Sequence, residues 1–393
     1  MLVAAVIAHS PPSIPLTGAR TLPDAPASAA TTTTVAPALP TSTTPAVAPS
    51  TAPATVAPAT TARAAPVVTT VRPPSVHGTG TARRTHGPKL STSPPSTTKA
   101  SPAVAPALPH VMVVMMENES QGNLIGNPAA PNVNALAAAY GVATASYAVG
   151  HPSLPNYLEM LAGSNYGVSD DGTPSSEGVP AGAPTLVNQL ETAGVPWRAY
   201  LESMPSAGYT GGDSTCCGGQ YYQHHNPFVY FPSVTSLPDF ASDVVPSTNM
   251  VSDLDAATPP AFVWVTPNGA DDMHDGVAND GEVSPSVGDA WLGSFVAQVQ
   301  STSWYAHNGR IVIEWDEGAD SDTSGTGPAG LGGGGHIVTI VVSAALKASP
   351  QQDANPVNTA GILHSLENAY GLPLLGDAAQ ASNGDIDSLL AGL

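Results

Sequence analysis

The feature that most restricts what this chain can fold into is a set of short apolar runs that stop abruptly at charged residues. Residues 110–116, His-Val-Met-Val-Val-Met-Met, lead straight into Glu117-Asn118, and comparable runs occupy 261–265, 310–314 and 336–343. A run without polar alternation suits a strand buried on both faces, which requires helices above and below a sheet. Stretches with helical character lie between the runs, at 132–140, 154–162, 185–193, 289–301 and 360–370. This alternation predicts an α/β fold, a doubly wound and mostly parallel sheet. Such sheets bind their ligands beyond the carboxyl ends of the strands. The chemistry of this chain should therefore follow directly after its apolar runs.

It does. Glu117-Asn118 follow the first run, Asp316-Glu317 follow the third, and the segment 266–275, which holds Asp271, Asp272, His274 and Asp275, follows the second. Each acidic strand end read singly is an ordinary exit into solvent. Two in one parallel sheet bring like charges together, which is costly unless a cation lies between them. Their joint reading is a divalent metal site of mixed oxygen and nitrogen ligands.

Composition sets the boundary of this domain. Residues 1–108 are dominated by Ala, Thr, Pro and Ser, and every Trp, Phe and Tyr of the chain comes later. Such a segment has too little apolar surface to offset the entropy of folding, and its prolines keep it extended. The expectation is a disordered tail over 1–108, carrying a possible signal-peptide remnant, and one catalytic domain over 109–393. Charge divides at the same place. Seven basic residues against Asp24 give the tail +6, whereas Arg198, Arg310 and Lys347 against 29 acids leave the domain at −26. A surface this acidic repels polyphosphate backbones, so nucleic acid is not an expected partner.

Residues 2–8 form a short apolar run without a preceding basic residue, and no stretch reaches the roughly 18 apolar residues that span a bilayer. Long Ala/Thr/Pro tracts are typical of exposed stalks, so a secreted or cell-surface location on a bacterium is expected. Cys216 and Cys217 are adjacent; a bond between neighbours is uncommon, and the sequence offers neither a second partner, so no disulfide framework is expected.

Two further segments carry candidate chemistry. In His151-Pro-Ser-Leu-Pro-Asn-Tyr157 the prolines fix the backbone around Ser153, at the start of the helix running to residue 162. A hydroxyl held there lies near N–H groups suited to phosphate, and a neighbouring metal would make it a nucleophile; the alternative is a simple helix cap. His224-His225 sit in an aromatic-rich irregular stretch, where they either bind phosphate, protonate a leaving alkoxide, ligate metal or are surface histidines. His274 lies among aspartates. His336 opens a strand after Gly332 to Gly335 and is read as a weaker candidate, while His110, His307 and His364 are read as structural or surface residues.

Together these segments resemble the phosphoesterase family of bacterial acid phosphatases and phospholipases C, a branch of the alkaline-phosphatase superfamily. The resemblance rests on Val114-Met-Met-Glu-Asn118, Gly150-His-Pro-Ser-Leu-Pro-Asn-Tyr157, His225-Asn-Pro-Phe228, Thr266-Pro-Asn268 with Asp272-Met-His-Asp275, Gly288-Asp-Ala-Trp-Leu292 and Trp315-Asp-Glu-Gly318, in family order. It implies an alkaline-phosphatase-like sheet, a divalent cation held by Glu117, Asn118, Asp316 and Glu317, and Ser153 as nucleophile. His224, His225 and His274 would surround the phosphoryl group, with His151, Asn156 and His336 contacting substrate. The implied substrate is a small phosphate ester or a lipid head group.

Three alternatives follow from the same residues. Ser153-Leu-Pro155 partly matches a sulfatase signature, but position 157 is Tyr where that signature has Arg. A phospholipase C or other phosphodiesterase needs room for a second ester group, and Glu119-Ser-Gln-Gly122 departs from the phospholipase pattern. A non-catalytic surface binding module would have lost the nucleophile or a metal carboxylate, and all are present.

Overall fold

The computed structural model describes residues 108–275, 285–325 and 333–392, so the expected tail lies outside it except for Leu108. The described strands are β1 (Val111–Met116), β2 (Gly141–Tyr147), β3 (Trp197–Leu201), β4 (Val244–Pro246), β5 (Phe262–Thr266), β6 (Arg310–Trp315), β7 (His336–Val342), β8 (Gln351–Asp353) and β9 (Val357–Asn358). They form one sheet in the order β4-β3-β5-β1-β6-β7-β2-β8, with β9 also paired to β2. All pairings are parallel except those of β7, which runs antiparallel to both β6 and β2. The α/β sheet is thus mostly parallel, as its apolar runs predict.

The reversed β7 has a positional consequence. It begins where its neighbours end, so His336 pairs with Tyr147 at the carboxyl edge of the sheet. β1 lies near the middle, and each of its six residues is fully buried.

Five longer helices correspond to the helical stretches in the sequence: α1 (Pro131–Ala139), α2 (Ser153–Ala162), α3 (Leu186–Ala193), α4 (Ser286–Gln300) and α5 (Thr359–Tyr370). Their ends follow local chemistry. α3 opens with a capping box between Thr185 and Asn188, the Asn358 side chain caps α5, and α2, α3 and α5 each stop at a left-handed glycine. α2 packs against α5, and α1 against α4. The latter contact explains one motif residue: buried Asp289 of α4 accepts the N–H groups of Asn132 and Val133, satisfying the first turn of α1.

Two full-length strands, β2 and β3, are not visible as apolar runs. β2 reads Gly-Val-Ala-Thr-Ala-Ser-Tyr and β3 carries Arg198, so neither has the continuous hydrophobicity that marks β1.

Candidate active site

The acidic groups of interest follow the ends of parallel strands, Glu117 after β1, Asp272 after β5 and Asp316 after β6. Three strand-end segments are stitched together by backbone: Glu117 N donates to Asp272 O at 2.9 Å, and Asp316 N donates to Met116 O at 2.9 Å. Two residues there hold unusual backbone conformations. Asn118 has φ 55°, which asparagine tolerates, and Met273, between Asp272 and His274, has φ 90°. A side chain at Gly288 would come within 2.4 Å of Met273, so glycine alone lets α4 approach this bent loop. Strain of this kind persists where surrounding structure fixes it, commonly at functional sites.

Ser153 is the first residue of α2 and is almost fully buried. Its Oγ donates to Glu117 Oε2 at 3.2 Å. Asn118 N donates to Asp316 Oδ1 at 3.2 Å, bringing the ends of β1 and β6 together beside it. Glu117 also meets His225, whose Nε2 is 3.4 Å from Oε2, and the other face of that imidazole, Nδ1, is 3.5 Å from Asp272 Oδ2. Glu317 stands 3.2 Å from His151 Nδ1. Ligand atoms of Glu117, His225 and Asp272 lie within 4.8 Å of one another, as do those of His151, Glu317 and Asp320.

The electrostatics of this cluster are one-sided. Burial, reinforced by neighbouring carboxylates, pushes Glu117, Asp272 and Asp316 well above the ordinary carboxyl range. Burial holds His225 well below the usual imidazole range, and the Glu317 carboxylate raises His151 to about 9. Four buried polar atoms here, Asn118 Oδ1, His225 Nε2, Asp272 Oδ2 and Asp316 Oδ2, have no hydrogen-bond partner. Unpartnered buried acceptors are expensive in a folded protein, and oxygen-rich acceptors beside a lone imidazole are the donor set of a divalent cation. The residues present therefore fit a metal.

Among the described residues, arginine and lysine are absent from this edge. Arg198, near the start of β3, binds Asp253; Arg310, which opens β6, donates to the carbonyls of Asn308 and Ala391; Lys347 donates to Tyr140 Oη, just before β2. All three lie toward the opposite end of the sheet.

Residues 127–373 match the profile of the Phosphoesterase family. The chain belongs to that family. It is thus a phosphoric ester hydrolase. It is 30% identical over 277 residues to a phosphatidylinositol-3-phosphatase of Mycobacterium tuberculosis, covering 70% of this chain and 81% of that protein. It is 28% identical to a phosphate-repressible acid phosphatase of Penicillium chrysogenum over 48% of this chain and 43% of the relative. An acid phosphatase of Aspergillus fumigatus is 27% identical over 62% of this chain and 52% of its own length. The chain therefore spans about half of the fungal relatives. A solved structure from Vibrio parahaemolyticus, described as a protein in the alkaline phosphatase superfamily, aligns over 70% of each chain at 15% identity with a TM-score of 0.46.

In this phosphoesterase the structure brings Glu117, Asn118, Asp316 and Ser153 into one cluster and sets Glu317 beside it with His151. His224, His225 and His274 also come together: the rings of His224 and His225 are 4.4 Å apart, and those of His225 and His274 are 5.9 Å apart. Tyr222 lies among them, 5.1–5.4 Å from each imidazole. It donates to Asp275 Oδ2 at 2.6 Å, and Asp275 Oδ1 accepts from His274 Nδ1 at 2.8 Å.

Two of the expected substrate contacts, Asn156 and His336, have partners within the fold. Asn156 is fully buried; its Oδ1 accepts from the N–H groups of Val149 and Gly150, and its amide donates to the carbonyls of Gly150 and Pro152. It shapes the loop that presents Ser153, and its amide also reaches Glu317 Oε2 at 3.5 Å. His336 directs Nε2 to Thr144 O at 3.0 Å and stacks on Tyr147, so its ring is committed to β2. Cys216 and Cys217 are bonded to each other, contrary to the expectation from neighbouring cysteines. They sit in the turn between Ser214 and Tyr221, which are paired as an isolated antiparallel bridge.

Asp272, Asp275, Tyr157 and Tyr222 are the participants that the sequence did not assign a role. Asp272 and Asp275 were visible as flanks of His274. Tyr222 had no local signal and Tyr157 only its place in the 151–157 motif, because their importance depends on which carboxylate faces them.

Among the described residues no helix is long and apolar enough to cross a membrane.

Proposed function

We propose that this phosphoesterase is a metal-dependent phosphomonoesterase in which Ser153 is transiently phosphorylated. The observation that carries the reading is the convergence of unpartnered buried acceptors from Asn118, Asp272, Asp316 and His225 on the space beside Ser153 and Glu117. Glu117, Asn118, Asp316 and Glu317 would hold the cation, with Asp272 and His225 adjoining them. When bound, it would neutralise phosphoryl oxygens and favour the serine alkoxide.

The chain's own residues do the rest. Ser153 Oγ attacks phosphorus in line as the P–O bond to the leaving alcohol breaks, and water later releases phosphate from the serine. The N–H of Leu154 at the start of α2 is taken by Asp171 Oδ1 at 2.9 Å, and among the described residues no arginine or lysine is at this edge, so charge stabilisation would fall to the cation and the imidazoles. Partly exposed His274, oriented by Asp275, donates the proton that the leaving alkoxide needs.

The names of the relatives, all phosphatases, support a monoester over a diester, and that of the mycobacterial relative supports including a phosphoinositide head group among substrates. The Ala/Thr/Pro-rich composition of residues 1–108 supports a secreted or cell-surface setting for the enzyme. The test is phosphate release from a soluble monoester, a phosphoinositide monoester and a diester, with and without chelator, for the wild type and Ser153→Ala. Ser153→Ala should lose at least about a thousandfold in kcat. Undiminished turnover in chelator rules out the metal, full activity in Ser153→Ala rules out the nucleophile, and a faster diester reaction rules out monoester preference.

A further inference from the structure

Ser153 and Tyr157 are one helical turn apart on α2, so their side chains share a face. Both point at the same carboxylate. Ser153 Oγ donates to Glu117 Oε2, and Tyr157 Oη donates to Glu117 Oε1, so one turn of helix occupies both oxygens of the residue at the end of β1. The Tyr157 ring also lies parallel to His225, with centroids 5.4 Å apart and 6° between planes, and His225 in turn reaches Glu117 Oε2 and Asp272. A single side chain thus touches two members of the cluster, one through a hydrogen bond and one through its face. Tyr157 is fully buried, so it does not meet substrate.

We infer that Tyr157 is a positioning residue that sets the orientation of Glu117 and His225 for cation binding. The inference rests on the metal-dependent reading above and assigns a task to the position where a sulfatase signature carries arginine. A hydroxyl donor fixes a ligating carboxylate without competing for the charge on phosphate. Hydrogen bonds of this kind behind a metal ligand typically change affinity by about tenfold to a hundredfold.

The experiment titrates Mn2+ into chelator-stripped protein by calorimetry for the wild type, Tyr157→Phe and Tyr200→Phe. Tyr200 is a matched control, a buried tyrosine of β3 that donates to Asp253 away from the cluster. Tyr157→Phe should weaken Mn2+ binding at least about tenfold, and lower kcat more than it changes KM, while Tyr200→Phe leaves Mn2+ affinity unchanged. Equal affinity in the wild type and Tyr157→Phe overturns the inference. Absence of Mn2+ binding by the wild type instead overturns the metal-dependent reading. A second measurement needs no variant at position 157: saturating Mn2+ should shift the near-ultraviolet tyrosine band of the wild type and of Tyr200→Phe, and an unchanged band in both overturns the inference.

Discussion

Ser153 Oγ donates to Glu117 Oε2 across 3.2 Å, joining the first residue of a helix to the residue just past a central strand. Glu117 is buried among Asp316 and Asp272, and its pKa is driven upward by burial and by those charges. Glu117→Gln keeps the shape and removes one negative charge. It should lower phosphate release by at least about a hundredfold at saturating metal, a loss typical of damage to a metal site. It should also raise the Tm of chelator-stripped protein, because a source of buried repulsion is gone. A stripped variant less stable than stripped wild type would mean that Glu117 is not repelled by its neighbours.

The same repulsion gives the metal-free protein a definite pH dependence. Glu117, Asp272 and Asp316 all have folded pKa values raised above their unfolded values, so the folded state holds more protons than the unfolded one. Stability is then greatest below the ordinary carboxyl range, near pH 4, and falls as pH rises above it. Urea denaturation of chelator-stripped protein should show this decline between about pH 4 and 7. Saturating metal should abolish it, adding about 2.7 kcal/mol when present at a hundred times its Kd. A metal-free protein whose stability rises with pH over that range contradicts the electrostatic account.

Tyr222, Asp275 and His274 form a chain of two short hydrogen bonds, and a Cβ at Gly269 would come within 2.4 Å of the Asp275 carboxylate and 2.7 Å of the Tyr222 ring. The loop is therefore closed tightly over this pair. If His274 gives a proton to the leaving oxygen, Asp275→Asn should reduce kcat for an alkyl phosphate by about ten- to a hundredfold. The same variant should barely affect p-nitrophenyl phosphate, whose leaving group needs no proton. Equal losses on both substrates would show that Asp275 supports structure and not proton donation.

The sequence marks carboxyl-edge chemistry well because fully buried parallel strands need continuous apolar residues and then end at once. Glu117, Asp316 and Glu317 could be found from that break alone. Asn156 and His336 show its limit. Each stands next to reactive residues in the chain, yet hydrogen bonds to Gly150 and Thr144 turn their polar atoms inward, and nothing local records such partners. Tyr157 shows the converse, since its spacing from Ser153 fixes a shared helix face but not the Glu117 carboxylate waiting there. β2 escapes for another reason: it lies toward the edge of the sheet beyond antiparallel β7, where small and polar residues replace the large apolar ones of β1.

Asp322 fastens the loop beyond Glu317 to three other segments. Its carboxylate accepts from Ser120 Oγ at 2.8 Å and from His336 N at 3.1 Å, and its carbonyl accepts from His151 Nε2 at 2.9 Å. Burial raises its pKa, but hydrogen bonds from Ser324, Ser120 and His336 outweigh it and hold the group at about 2. A depressed folded pKa means that the contribution is complete above the unfolded value of about 3.9 and is lost as pH falls through about 2. Asp322→Ala should therefore lower Tm by a few degrees, on the order of 2–4 °C, at pH 5, and the gap should shrink steadily toward pH 2. The clamp would thus stay fastened through mildly acidic conditions. Thermal unfolding of both proteins across that range decides the matter: a gap that is constant from pH 5 to 2 would mean that the carboxylate's charge has no part in holding the loop.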